Sequence, residues 1–143
     1  MITLALFRKM ANDIDILVKD ENFFWEELPL QKDGKPASGV WLVTRGGNAA
    51  NSPKGLNLKS TVDFYVAFKN KVQTEAVQQQ VLEWILANPC ICDMSGGTDD
   101  ANYSYAFSNV RIRPTTTPQN DGVTENGKIV KMASIELTYD IKN

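Results

Sequence analysis

Carboxylates flank glycines in residues 93–100, where Asp93, Asp99 and Asp100 lie on either side of Gly96 and Gly97. Hard cations such as Ca²⁺ take oxygen ligands of this kind, but from an alternating Asp-x-Asp-x-Asp-Gly loop with a distal Glu. The segment has neither the alternation nor the distal Glu. The pattern therefore favours a solvated loop over a metal site, and we predict no bound metal.

The chain has two cysteines, Cys90 and Cys92, and no histidine. A disulfide between them would close a very tight, strained loop, so reduced thiols are expected. A structural zinc site needs about four ligands, and no other Cys or His is available in this sequence. The missing histidine also excludes Ser-His-Asp and Cys-His nucleophile systems.

Two further patterns contain residue types found in catalytic or cofactor sites. Gly46-Gly47 after Arg45 belongs to neither the phosphate-binding P-loop pattern nor the dinucleotide fingerprint, so a turn after a strand is predicted. Glu26 and Glu27 are adjacent and would point to opposite faces of a strand, which is wrong for a paired acid and base. We therefore predict that the protein is not an enzyme and has no cofactor, with a carboxylate-only, metal-dependent enzyme as the remaining alternative.

Composition places the chain among ordinary globular proteins. It has 143 residues, 43% hydrophobic and 22% charged, which predicts one domain over 1–143. The net charge of −2 indicates no global attraction to nucleic acid or anionic membrane, and Arg111 with Arg113 is too little for a nucleic-acid footprint. No apolar run approaches a membrane span, and residues 1–9 lack the basic n-region and cleavage site of a signal peptide.

Hydrophobic periodicity predicts the elements that would position these residues. Apolar spacing of three or four predicts helices over about 3–18 and 71–87, the second preceded by Asn70 as a capping residue. The β-branched and apolar cluster over 14–18 is equally compatible with a strand. Strands are predicted over 39–44, 58–69, 103–113 and 128–141, and a short strand over 22–28. In the 58–69 strand Val62, Phe64 and Val66 share one face and Asp63 and Tyr65 the other.

The segments 46–53, 93–102 and 114–127 are polar and rich in Gly, Asn, Ser, Thr and Pro, which predicts loops. The predicted order is α-β-β-α-β-β. The expected fold is α+β, with a single sheet of four or five strands, mixed or antiparallel, and two helices packed on one face. The other face would have no cover within the chain.

The segment Ser38-Gly39-Val40-Trp41-Leu42-Val43-Thr44-Arg45-Gly46-Gly47, followed by Pro53, resembles the tail terminator proteins of long-tailed bacteriophages, also called tail completion or minor capsid proteins. In that family a strand ending in Gly-Gly leads into a polar loop, then a long strand such as 61–68 and a helix such as 73–88. Two further strands and an N-terminal helix complete the match, so the resemblance covers nearly the whole chain in order and size.

The resemblance implies a structural protein of the virion, made in the host cytoplasm and placed at the head-proximal end of the tail. Copies would form a homo-oligomeric ring, typically a hexamer, which binds the last ring of the tail tube protein and stops its polymerisation. The opposite surface would join head completion or connector proteins, and DNA would pass through the lumen without specific binding. Another head–tail connector, such as a head-closure protein, is the alternative within the same class.

Exposed loops on a rigid sheet commonly carry function, so we expect the subunit and tube contacts to come from the three polar segments. The candidate residues are Arg45, Gly46, Gly47, Asn48, Asn51, Asp93, Asp99, Asp100, Thr116, Asn120 and Asp121.

Overall fold

The structure is a computed structural model that describes residues 2–48, 57–96, 105–124 and 126–142. Within these ranges it contains two helices and seven strands. In chain order they are α1 (Ile2–Asp13), β1 (Phe23–Trp25), β2 (Gly39–Asn48), β3 (Leu58–Ala67), α2 (Lys71–Ala87), β4 (Cys90–Gly96), β5 (Tyr105–Pro114), β6 (Gln119–Val123) and β7 (Ile129–Lys142). None of the described helices is long and apolar enough to cross a bilayer.

All seven strands belong to one mixed sheet: six follow the order β1-β2-β3-β7-β5-β4, and β6 pairs with β7 outside that order. β1 runs parallel to β2, and every other pairing is antiparallel. β7 lies at the centre, because β3 pairs along one side of it while β5 and then β6 pair along the other.

The sheet curls into a half-barrel around the first helix. α1 contacts β1 and β2 near one edge of the sheet and also β4 at the opposite edge, which is possible only if the two edges bend toward it. α2 packs on β3, β5 and β7. Both helices therefore lie on the concave side, where the main core includes Phe7, Met10, Phe64, Ile85 and Leu137. Burying each such side chain contributes about 1.5–3 kcal/mol.

The prediction of four or five strands in the order α-β-β-α-β-β is wrong. β4 occupies the start of the segment expected to be a loop over 93–102, and β6 lies within the one expected over 114–127. β4 has the sequence Cys-Ile-Cys-Asp-Met-Ser-Gly, which does not alternate apolar and polar residues, and all five residues of β6 are exposed. Both strands form through backbone pairing with β5 and β7, a contribution that hydrophobic periodicity does not report.

Several element boundaries also differ from the sequence-based expectation. α1 ends at Asp13, not near residue 18, and β2 continues through Gly46 and Gly47 to Asn48 where a loop was predicted. α2 has the predicted bounds, and the side chain of Asn70 accepts hydrogen bonds from the backbone N–H groups of Val72 and Gln73, as expected of an N-cap.

Gly39 allows β1 and β2 to approach closely. A Cβ at this position would lie 2.5 Å from the carbonyl oxygen of Asn22 and 2.9 Å from the ring of Phe24. That same carbonyl accepts a hydrogen bond from the N–H of Val40. A side chain at residue 39 would therefore push the edge strand away from the sheet.

Candidate functional site

No described helix packs on the convex side of the sheet, and its centre carries two rows of paired side chains. Because side chains alternate along a strand, residues opposite the core-facing positions lie on this side. Trp41, Tyr65 and Met132 are cross-strand neighbours in one row, and Val43, Asp63 and Ser134 form the next. These six residues and Arg45 are called the platform below.

The first row is aromatic and half-buried. The rings of Trp41 and Tyr65 stack with their centroids 5.1 Å apart and their planes 11° from parallel. Tyr65, Ala67 and Val130 are buried, and Trp41, Val43 and Met132 pack against them as a second, smaller apolar cluster. A stacked aromatic pair is worth about 0.5–1.5 kcal/mol beyond its buried area, so this row is held in a fixed geometry.

A polar network fixes the second row. The carboxylate of Asp63 accepts hydrogen bonds from Nε of Arg45 and from Oγ of Ser134, each at 2.5 Å. Arg45 also donates from Nη2 to the hydroxyl of Tyr65. The side chain of Asp63 is only 7% exposed, whereas that of Arg45 is 53% exposed. Arg45 thus covers the carboxylate and still presents half of its own surface to solvent.

Asp63 and Tyr65 stabilise the charged form of Arg45. The hydrogen bond with Asp63, followed by that with Tyr65, raises the pKa of the guanidinium above its ordinary value. A buried carboxylate is tolerated when it is paired and its lone pairs are hydrogen-bonded. Arg45 and Ser134 meet that requirement for Asp63, so the charge pair belongs to the folded architecture of the platform.

A β-bulge places Arg45 over the platform. Thr44 pairs with Val62 and Gly46 pairs with Thr61, so Arg45 is the extra residue on β2. Gly46 has φ +121°, a conformation that side-chain-bearing residues rarely adopt. Thr44 turns the other way, toward the helices, and its hydroxyl donates to Glu26 at 2.5 Å.

Charged side chains border the platform on β3, β5 and β7. Glu136 accepts a hydrogen bond from Arg113 at 3.2 Å and forms an ion pair with Lys59 at 3.8 Å. The two cationic side chains are 71% and 50% exposed. Exposed pairs of this kind contribute little stability. The charged groups of Arg113 and Lys59 therefore remain available to a binding partner at the edge of the platform.

Asp140 organises the far end of the convex face. It accepts hydrogen bonds from the backbone N–H of Asn57 at 2.7 Å and from Nδ2 of Asn109 at 2.9 Å. Both asparagines have left-handed backbones, with φ of 53° and 51°. The bond from Asn109, then that from Asn57, lowers the pKa of Asp140. With Arg111 and Thr138 these residues line a polar cavity of about 310 Å³.

Only part of the predicted contact set lies near the platform. Arg45 belongs to it, and Gly46 follows in the bulge. Thr116 lies beside it, because its hydroxyl accepts a hydrogen bond from the N–H of Ser134 at 2.8 Å. Gly47 and Asn48 pair with β3 along the same strand as Arg45.

The remaining candidates are dispersed. Asn120 and Asp121 are exposed on β6, where Asn120 pairs with Lys131. Asp93 is exposed on β4 at the sheet edge remote from β2, where it pairs with Ser108. Asn51, Asp99 and Asp100 lie outside the described residues. The loop predictions are wrong at 46–48, 93–96 and 119–123, which are strands.

The centre of the platform was not among the sequence candidates. Asp63 could have been identified from the sequence, because it is a lone charge in the otherwise apolar and aromatic run from Val62 to Phe68. A buried charge in such a strand requires partners. Trp41, Met132 and Ser134 gave no comparable signal, since their contacts depend on the strand register.

Cys90 and Cys92 are free and exposed on β4. Across the described ranges, no three Cys, Asp or Glu side chains converge in the way a bound metal ion would need. Comparisons with known proteins found no matching family model, no matching curated protein and no matching solved structure.

Proposed function

We propose that this protein is a structural assembly protein that works by binding other protein subunits through the platform, and that it is a tail terminator of a long-tailed bacteriophage. The observation that carries the proposal is the platform itself: a preorganised patch of Trp41, Tyr65, Met132 and Arg45 on a sheet face that no described helix covers.

The residue types of the platform support a protein partner. Aromatic residues, Met and Arg are enriched at protein–protein interfaces, and Trp, Tyr and Arg dominate their hot spots. The side chain of Arg45 is half-exposed and donates to the hydroxyl of Tyr65, the residue that stacks on Trp41, so it offers a directional donor close to an apolar contact. Because Asp63 already holds Arg45 and Tyr65 already stacks on Trp41, binding would cost little further side-chain entropy.

The assignment to tail terminators comes from the resemblance of residues 38–47 and of the elements that follow them. A tail tube grows by stacking rings, a heterologous contact that does not close by itself. A terminator binds the last ring through one surface and presents a different surface to the head, so growth stops. A rigid platform with a charged rim suits the first of these tasks.

The direct test is deletion of the gene from the phage genome that carries it, followed by electron microscopy of the particles. Overlong tails are expected if the chain stops tube growth. Tails of normal length that fail to join heads would instead assign it to head closure, the connector alternative. Normal particles after deletion would overturn both versions of the proposal.

Complementation of the deletion with platform variants connects the proposal to these residues. Trp41→Ala should fail to restore tail length, whereas Leu86→Ala, which removes a 60% exposed side chain from α2, should restore it. Restoration by both variants would show that the platform is not the contact surface.

A further inference from the structure

Exposed apolar side chains concentrate in the segment of the chain that contains the edge strand β1. Of the seven large hydrophobic side chains that are exposed in the described residues, four lie between residues 16 and 30. They are Ile16, Val18, Trp25 and Leu30, and Leu30 is 68% exposed. Clustered apolar exposure of this kind marks an interaction surface more often than scattered exposure does.

A cleft of about 490 Å³ opens in this region between α1 and β1. Its apolar walls come from Leu4, Phe7, Phe24, Trp25 and Pro29, and its charged lining comes from Lys19, Asp20 and Glu27. We refer to it as the β1 cleft.

The surroundings of the β1 cleft are acidic. Residues 15–27 contain five carboxylates and one lysine. Glu26 is engaged with Thr44, but Asp15, Asp20, Glu21 and Glu27 are all exposed. An apolar cavity with an acidic rim is complementary to an apolar side chain flanked by cations.

Such a group exists on the same chain, where α2 begins. Val72 is 75% exposed, more than any other large hydrophobic side chain in the described ranges. Lys69 and Lys71 flank it and are exposed, and the N-terminal dipole of α2 adds positive potential. We refer to these three residues as the α2 knob.

The end of the domain around the α2 knob is rich in lysine. Lys128 donates from Nζ to the carbonyl of Pro36 at 2.9 Å, which brings the turn containing Lys32 and Lys35 alongside. Burial, and then the charge of Lys69, lowers the pKa of Lys128. With Lys131, the described residues at this end include six lysines, against the carboxylates Asp33, Glu75 and Asp121.

We infer that the β1 cleft accepts the α2 knob of a second copy of this chain, with Val72 against the apolar walls and Lys69 and Lys71 against Asp20 and Glu27. The inference rests on the proposed function, since it names the contact between neighbouring subunits. The two surfaces are unlike, so one contact leaves a free cleft on one copy and a free knob on the other. Repetition of such a contact gives a ring or a filament and does not stop at a pair.

Charge-reversal variants test this pairing by sedimentation velocity and native mass spectrometry. The cleft variant is Asp20→Lys with Glu27→Lys, and the knob variant is Lys69→Glu with Lys71→Glu. Each variant keeps one intact surface, so each alone should associate at least about tenfold more weakly than the unchanged protein. The control is Glu83→Lys, an exposed reversal elsewhere on α2, which should associate normally.

The mixture of the two variants is the decisive sample. In the mixture both contacts can form, because the intact cleft of the knob variant accepts the intact knob of the cleft variant, and the reversed cleft of the cleft variant is complementary in charge to the reversed knob of the knob variant. The mixture should therefore form assemblies in which the two variants alternate, about as large as those of the unchanged protein, although neither variant assembles alone. A chain carrying both reversals should regain self-association. Assembly of the unchanged protein should weaken between about 0.05 and 0.5 M salt, because rim charges are screened.

Several outcomes would overturn the inference: a mixture that stays monomeric, single variants that assemble normally, or an unchanged protein that remains monomeric at about 1 mM. Loss of binding to a short double-stranded DNA in the knob variant, with self-association intact, would reassign the lysines to a polyanion. The proposed function fails separately, through normal tails in the deletion phage. A protein that assembles through cleft and knob without affecting tails would retain this contact and lose that role.

Discussion

The indole of Trp41 stacks on the phenol of Tyr65 while the hydroxyl of that same Tyr65 accepts a hydrogen bond from Arg45. One side chain therefore joins the apolar row of the platform to its charged centre. Tyr65 is 7% exposed and has little freedom to move. Its fixed position predicts that apolar and polar changes on this face affect each other.

Removal of the Trp41 indole should affect partner binding much more than the free energy of unfolding. We expect Trp41→Ala to abolish platform-dependent binding while lowering the free energy of unfolding by only about 1–2 kcal/mol, because the indole is partly solvated and the aromatic contact is modest. Urea unfolding measures the second quantity, and complementation of tail length the first. A loss of more than about 4 kcal/mol would show instead that Trp41 is a core residue.

Neutralisation of the buried carboxylate should destabilise the fold. Asp63→Asn leaves Arg45 without its charged partner and turns one acceptor into a donor facing Nε of Arg45. The expected loss is about 1–3 kcal/mol. The matched control is Asp121→Asn on exposed β6, for which we expect a change within about 0.5 kcal/mol. Equal effects of the two substitutions would show that the hydrogen bonds of Asp63 do not stabilise the fold.

The bulge on β2 should depend on the absence of a side chain at residue 46. Gly46→Ala meets no neighbouring atom within 4 Å, so its cost comes from the backbone alone. At φ +121° we expect a loss of about 1–3 kcal/mol. Gly46→Asn should cost no less, since its φ lies outside the left-handed region that Asn tolerates. An unchanged urea midpoint for Gly46→Ala would contradict this explanation of the bulge.

The acid response of the fold should involve Asp140. Its pKa is lowered in the folded state, so its contribution to stability is complete above the unfolded value of about 3.9. That contribution is lost as the pH falls through this value toward the folded pKa. Asp140→Asn should therefore lose stability at neutral pH and show a shallower decline from about pH 5 to about pH 2.

Asp15→Asn, which alters an exposed carboxylate away from the convex face, is the control for that measurement. At neutral pH its free energy of unfolding should stay within about 0.5 kcal/mol of that of the unchanged protein. Parallel declines for Asp140→Asn and the unchanged protein would show that Asn57 and Asn109 do not depend on the ionised carboxylate.

The sequence was informative where one physical signal dominated. α2 combines an Asn70 cap with buried Val77, Val81 and Ile85 at helical spacing, and its bounds could be predicted. In β3, the alternation of Val62, Phe64 and Val66 gave the strand and its core-facing side. Each of these elements carries its own burial pattern, so no knowledge of the neighbouring elements was needed.

Other elements exist only because of their neighbours. β6 buries none of its residues and forms along β7, and β4 is a strand because β5 offers a backbone edge to it. The platform has the same character. Val43, Asp63 and Ser134 come from three strands, and only the register places them side by side. Asp63 and Ser134 are 71 residues apart in the sequence. The pattern of residues within one strand does not indicate which residue of a distant strand it will face.

The central position of β7 has a consequence for how the chain acquires its structure. β7 follows every other described strand in the sequence, yet β3, β5 and β6 all pair with it. During synthesis, β3 and β5 therefore emerge from the ribosome before β7, the strand that pairs with one side of each. α1 is made first, and it can contact β4 only after all the residues between the two elements have been added. Loop closure over such distances slows folding, and unpaired strand edges favour aggregation. We expect slow refolding and a strong dependence of soluble yield on temperature and chaperones.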